Sequence, residues 1–139
     1  MKSIIMLVLC TTIYSITYAQ TTVPTTVETA LKQKFPNAQK PLWGKENAHE
    51  YEAEFMLNGF KTSANFSDAG KWLETEVEIK AADLPKKVVD AFHKKYAGAE
   101  ITSASKIETA DNKIKYEAEF TNHGKKEEAL FDADGNFVK

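Results

Sequence analysis

The side chains with the most chemical capacity in this sequence are carboxylates at alternate positions. Glu52 and Glu54 lie in Tyr51-Glu52-Ala53-Glu54-Phe55, Glu117 and Glu119 in the same string from Tyr116 to Phe120, and Glu74, Glu76 and Glu78 between Trp72 and Ile79. Two carboxyls can divide acid and base work only when different surroundings pull their pKa values apart. Alternate residues of a strand share one face and one wet environment, so this spacing argues against catalysis. The three histidines, His49, His93 and His123, share no metal-ligand spacing, and His49-Glu50 is followed by Tyr-Glu-Ala rather than by a second histidine. Asp132-Ala133-Asp134-Gly135-Asn136 opens like a calcium loop but lacks the third oxygen ligand that an EF-hand places before its glycine. Its composition reads as a hairpin turn. No Gly-rich phosphate loop or Ser/His/Asp grouping occurs. No catalytic residue, metal site or cofactor is therefore expected.

Charge excludes another class. All 18 basic residues are lysines, set against 20 acidic residues for a formal charge of −2. Arginine supplies the planar fork that grips phosphates and guanine edges, so an arginine-free, mildly acidic chain is not built for nucleic acid. The N-terminus carries Lys2, an apolar stretch from Ile4 to Leu9, and small residues at Thr17 and Ala19. That is the layout of a secretory signal peptide over 1–19, too short and too interrupted by Thr and Ser to be a membrane span. The single cysteine, Cys10, falls inside it. The processed chain would then have no thiol, no disulfide and no membrane span, and its place would be the periplasm or the exterior.

The elements that hold the glutamates come in two copies. Val23-Pro24-x-x-Val27-x-x-Ala30, with Phe35 and Ala38, recurs as Leu84-Pro85-x-x-Val88-x-x-Ala91, with Tyr96 and Ala99. The Tyr-Glu-Ala-Glu-Phe string, Gly59/Gly124, Ala64/Ala129, Phe66/Phe131, Gly70/Gly135 and Trp72/Phe137 repeat at a slightly longer offset, with the extra residues assigned to the Asp111-Asn112 turn. Each copy opens on a helix with proline in its first turn and one apolar stripe, Val27, Ala30, Leu31 and Phe35, then Val88, Ala91, Phe92 and Tyr96. The period then drops to two and Asn58-Gly59 and His123-Gly124 mark hairpins. The expectation is an α+β fold of two tandem repeats, each a helix plus an antiparallel β-meander, divided at 20–82 and 83–139, with both helices on one face of the sheet.

The other face should then be open. Tyr51, Ala53, Phe55, Thr62, Ala64 and Phe66 read as inward, with Leu73, Thr75, Val77 and Ile79 on the last strand of the first copy. Glu52, Glu54, Met56, Trp72, Glu74, Glu76, Glu78, Glu117, Glu119, Glu128 and Leu130 read as outward, with Lys61 and Lys126 interspersed. Trp72, with Trp43 and Met56, would form an aromatic anchor ringed by carboxylates that steer a cationic partner, because binding hot spots are rich in tryptophan. This favours a non-catalytic binding protein for a protein or peptide. A small-ligand or metal-ion binder using the carboxylate face is the alternative.

The helix starts, the Tyr-Glu-Ala-Glu-Phe strings and the Phe-x-x-x-Gly-x-Trp/Phe turns, behind a signal peptide, resemble the PepSY-like family of small secreted proteins of Bacteroidetes. That family is similar in fold to beta-lactamase inhibitory protein. The resemblance implies a periplasmic or secreted, inhibitor-like binding module without enzymatic activity, and it carries over no functional residue.

Overall fold

The computed structural model describes residues 22–138. The expected signal peptide and Cys10 lie outside the described residues. In chain order the elements are α1 (Thr25–Lys34), β1 (Leu42–Asn47), β2 (Glu50–Leu57), β3 (Phe60–Ser67), β4 (Trp72–Ile79), a single 3-10 turn (Ala81–Asp83), α2 (Lys86–Lys95), β5 (Ile101–Thr109), β6 (Ile114–Asn122) and β7 (Lys125–Asp132). The strands form one antiparallel sheet in the order β1-β2-β3-β4-β5-β6-β7. It continues across the boundary at 82/83, where Val77 of β4 pairs with Lys106 of β5.

Pro24 and Pro85 precede the helices, where their missing N–H would be unpaired in any case. Each helix closes by the same device: the Phe35 N–H donates to Leu31 O at 2.7 Å and the Tyr96 N–H to Phe92 O at 2.8 Å. The β2–β3 and β6–β7 hairpins turn on Asn58-Gly59 and His123-Gly124, all four at positive φ, the type I′ geometry whose twist matches that of the flanking strands.

Both helices bury their stripes on the same sheet face. Val27 and Leu31 of α1 pack on Tyr51, Ala53, Phe55, Ala64 and Phe66. Val88 and Phe92 of α2 pack on Ala104, Ala118, Phe120, Ala129 and Phe131. Cross-strand register links the two sets, because Ala53 pairs with Ala64, Ala64 with Thr75, Ile79 with Ala104, Ala104 with Ala118 and Ala118 with Ala129. The small alanines let each helix approach the sheet, and the phenylalanines fill the space beside it.

The two tryptophans correct the outward assignment. Asn65 pairs with Glu74 but Phe66 pairs with Trp72, so Leu73 is an extra residue on β4. Side chains alternate with a period of two, so one inserted residue sends what lies beyond it to the opposite face. Trp72 therefore joins Phe66 on the helix side, where it packs on the first core and its indole N–H donates to Thr75 Oγ1 at 2.9 Å. Trp43 pairs with Ala53 and packs on the same core. Neither indole belongs to the open face.

Candidate functional site on the open sheet face

The strands place the remaining expected residues together on the helix-free face. Glu52 lies opposite Asn65 and Asn65 opposite Glu74; Glu54 lies opposite Ser63 and Ser63 opposite Glu76. In the second half of the sheet Glu78 lies opposite Ser105 and Ser105 opposite Glu117, with Glu119 between Ser103 and Glu128. Met56 sits at the margin, 56% exposed, and Leu42 on β1, opposite Glu54, is 58% exposed. Glu128 takes its place on this surface as the sequence alternation expects, and Leu42, outside the expected set, joins it. Glu128 was legible as the outward neighbour of Ala129. Leu42 was not, because only the register of β1 against β2 gives it a face.

This face is concave. A cavity of about 890 Å³ runs over β1 to β6, walled at one end by Asn37, Gln39 and Lys40 of the α1–β1 loop. Its floor includes Glu52, Glu76, Ser63 and Ser105. Neither histidine nor cysteine is among its lining residues.

The curvature changes the electrostatics, and here the expectation of one shared wet environment is corrected. Burial pushes the Glu117 carboxyl up to about 8, helped by the charges of Glu76, Glu128, Glu119 and Glu74. Glu76 is raised by burial too, against a hydrogen bond from the Ser105 hydroxyl that favours its ionised form. Glu52 is raised by burial, opposed by a hydrogen bond from Ser63. A carboxyl that stays protonated near neutrality among ionised neighbours can donate a hydrogen bond as well as accept one. The same crowding means that an incoming positive charge would be stabilised by several carboxylates at once.

Among the described residues, one group has the geometry for a metal ion: carboxylate oxygens of Glu117, Glu119 and Glu128 lie within 4.8 Å of one another. The calcium-like turn is engaged otherwise. Asp132 Oδ1 accepts from the Asp134 and Asn136 N–H groups at 2.9 and 2.8 Å, and Asp132 Oδ2 from Asn136 Nδ2 at 2.9 Å, which is the bonding of a tight turn. The histidines are dispersed: His49 bonds Asp68 through Nδ1 at 3.2 Å on the surface, His93 stacks edge-on to Phe92, and His123 occupies a hairpin.

Residues 49–139 match the family described as beta-lactamase-inhibitor-like, PepSY-like. None of the curated proteins matches the chain. Solved structures share the fold. A DUF2874 family protein from Bacteroides uniformis superposes with a TM-score of 0.76 at 24% identity, covering 85% of this chain and 88% of that one. A BLIP-like protein from Bacteroides fragilis gives 0.68 at 23% identity, covering 86% and 85%. A protein from Bacteroides eggerthii described as a candidate periplasmic protein gives 0.76 at 20% identity, covering 86% and 88%.

Proposed function

The chain belongs to the PepSY-like family, and from that premise we propose that it is a non-catalytic, exported binding protein. It presents the open, concave face of its sheet to a protein or peptide, in the manner of an inhibitor. The observation that carries this reading is the asymmetry of the sheet: two helices cover one face, and the other is left curved and lined with half-buried glutamates. Such a surface is costly to leave idle, because half-buried like charges repel each other and forgo hydration. The signal-peptide layout of 1–19 and the candidate periplasmic neighbour support export. No helix among the described residues is long and apolar enough to cross a membrane.

The architecture behind this face is, in our reading, a tandem duplication. Its support lies in contacts that recur at equivalent positions. A Cβ on Gly70 would meet the Thr26 carbonyl oxygen at 2.8 Å, and one on Gly135 the Lys87 carbonyl oxygen at 2.6 Å, so each last hairpin is pressed onto the first turn of its own helix. The Lys34 ammonium lies over the Trp72 ring, 3.5 Å from its centroid, as the Lys95 ammonium lies over Phe137 at 3.1 Å.

The test is recovery of a partner from periplasmic extract by three forms of the chain: unaltered, with Glu54→Lys and Glu119→Lys on the open face, and with Lys32→Glu on the exposed side of α1. The expected outcome is one partner held by the first and third forms and lost by the second. A partner held equally by all three would overturn the reading. A divalent-cation binder is the second reading, carried by the Glu117, Glu119 and Glu128 oxygens. It predicts instead a saturable rise in melting temperature with calcium in the absence of any protein.

A further inference from the structure

The charge and shape of the open face narrow its occupant, on the premise that this face docks a partner. Glutamates from β2, β4, β6 and β7 share it, whereas its lysines are Lys61, Lys115 and Lys126 on the strands and Lys40 on the loop that walls one end. The carboxylates at its centre act on one another across strands: Glu74, Glu119 and Glu128 all bear on both Glu76 and Glu117. A cation placed among them removes that repulsion, whereas an anion compounds it. Size sets the next limit. A cavity of about 890 Å³ is far beyond a bare ion and lies within the range of roughly 300–1,000 Å³ that accommodates ligands of several side chains' bulk. At its edge the charge gives way to apolar surface, with Leu42 and Met56 both more than half exposed.

We propose that the occupant is an extended basic segment of a partner protein. One lysine or arginine enters between Glu76 and Glu119, and a neighbouring aliphatic side chain lies against Met56 and Leu42. The serines on the floor suit this role. Ser63, Ser103 and Ser105 are small enough to leave room for a long side chain, and their hydroxyls can turn to donate to the carboxylates or accept from an ammonium. A metal ion would use the glutamates but would leave the aliphatic margin and most of the cavity without a role.

Fluorescence polarisation with three labelled octapeptides tests the assignment. The probes are Gly-Ser-Lys-Leu-Lys-Lys-Ser-Gly, its counterpart with glutamate at the three lysine positions, and a Gly/Ser control. The unaltered chain is expected to bind the lysine peptide at least about tenfold more tightly than either of the others, with affinity falling as salt screens the charges. Glu76→Gln with Glu119→Gln should weaken it at least about tenfold, and Met56→Ser severalfold, while Lys32→Gln on α1 leaves it unchanged. Equal binding of the three peptides, indifference to the glutamine pair, or no binding of the lysine peptide would each overturn the assignment, as would calcium raising the melting temperature while no peptide binds. If the basic peptide fails but Glu54→Lys with Glu119→Lys still abolishes partner recovery from extract, the docking face stands and only the chemistry of its occupant is wrong.

Discussion

The two halves of the sheet carry the same string, Tyr-Glu-Ala-Glu-Phe, and make different things of it. In the first half Glu52 lies opposite Asn65 and receives a hydrogen bond from Ser63. In the second, Glu117 lies opposite Leu130, and Glu128 occupies the position equivalent to Ser63. On the following strand one glutamate thus faces an amide and a hydroxyl, while its counterpart faces an aliphatic side chain and another carboxylate, and the Ser105 hydroxyl opposite it on β5 bonds Glu76 instead. The carboxyl of Glu52 is raised by burial that a hydrogen bond partly offsets, whereas that of Glu117 reaches about 8. The lesson is that a repeated motif specifies position but not ionisation. Burial and the surrounding carboxylates, Glu76 of β4 first among them, decide the second.

The cores diverge in the same direction. Phe92 of α2 meets Phe120 edge-to-face at 5.0 Å and Tyr96 at 5.3 Å, while the equivalent position in α1 is Leu31, beside the single Phe35–Phe55 pair. The largest expected effect therefore comes from truncating these residues. Phe92→Ala should cost about 3–5 kcal/mol and Leu31→Ala about 2–4 kcal/mol in urea denaturation. If the loss at Leu31 equals or exceeds that at Phe92, the second core is not the stronger.

Next in size is a pH effect. With its folded pKa raised, Glu117 holds a proton that the unfolded chain releases at its ordinary value of 4.5. Between those two values the folded state binds more protons, so this group's contribution to stability is whole below about 4.5 and declines as pH rises through about 8. Glu117→Gln removes that decline. Relative to the unaltered chain it should gain on the order of 1–2 kcal/mol at pH 9, after allowing for solvent screening of a partly exposed group, and little at pH 4. Glu52→Gln should gain less over a narrower window. Melting temperatures across pH 4–9 check both, and a Glu52 variant that responds as strongly as the Glu117 variant would erase the distinction between the halves.

The smallest effects test the feature the halves share. Lys34→Ala and Lys95→Ala each remove an ammonium from an aromatic face and should cost about 0.5–1 kcal/mol, with the tryptophan site at the upper end. Opposite signs at the two sites, measured by the same denaturation series, would show that the equivalence is one of position only.

By itself, the sequence determined the elements and most of their faces. Apolar residues at helical spacing after Pro24 and Pro85 laid out the two helices, alternation from Tyr51 to Phe55 and from Tyr116 to Phe120 laid out strands with one buried side, and the Asn-Gly and His-Gly pairs marked the hairpins, because these signals act over a few residues. The glutamates of β2, β4 and β6 were legible as one outward set for the same reason. Tertiary structure alone decided the rest. Trp72 read as outward until the residue inserted at Leu73 reversed the alternation, and a bulge is defined only against the strand beside it. Trp43 acquired a face only from its register with Ala53. The carboxylates seemed equally wet because a string of residues carries no curvature; only the bent sheet half-buries Glu117 and brings Glu76 and Glu128 close enough to raise its proton affinity.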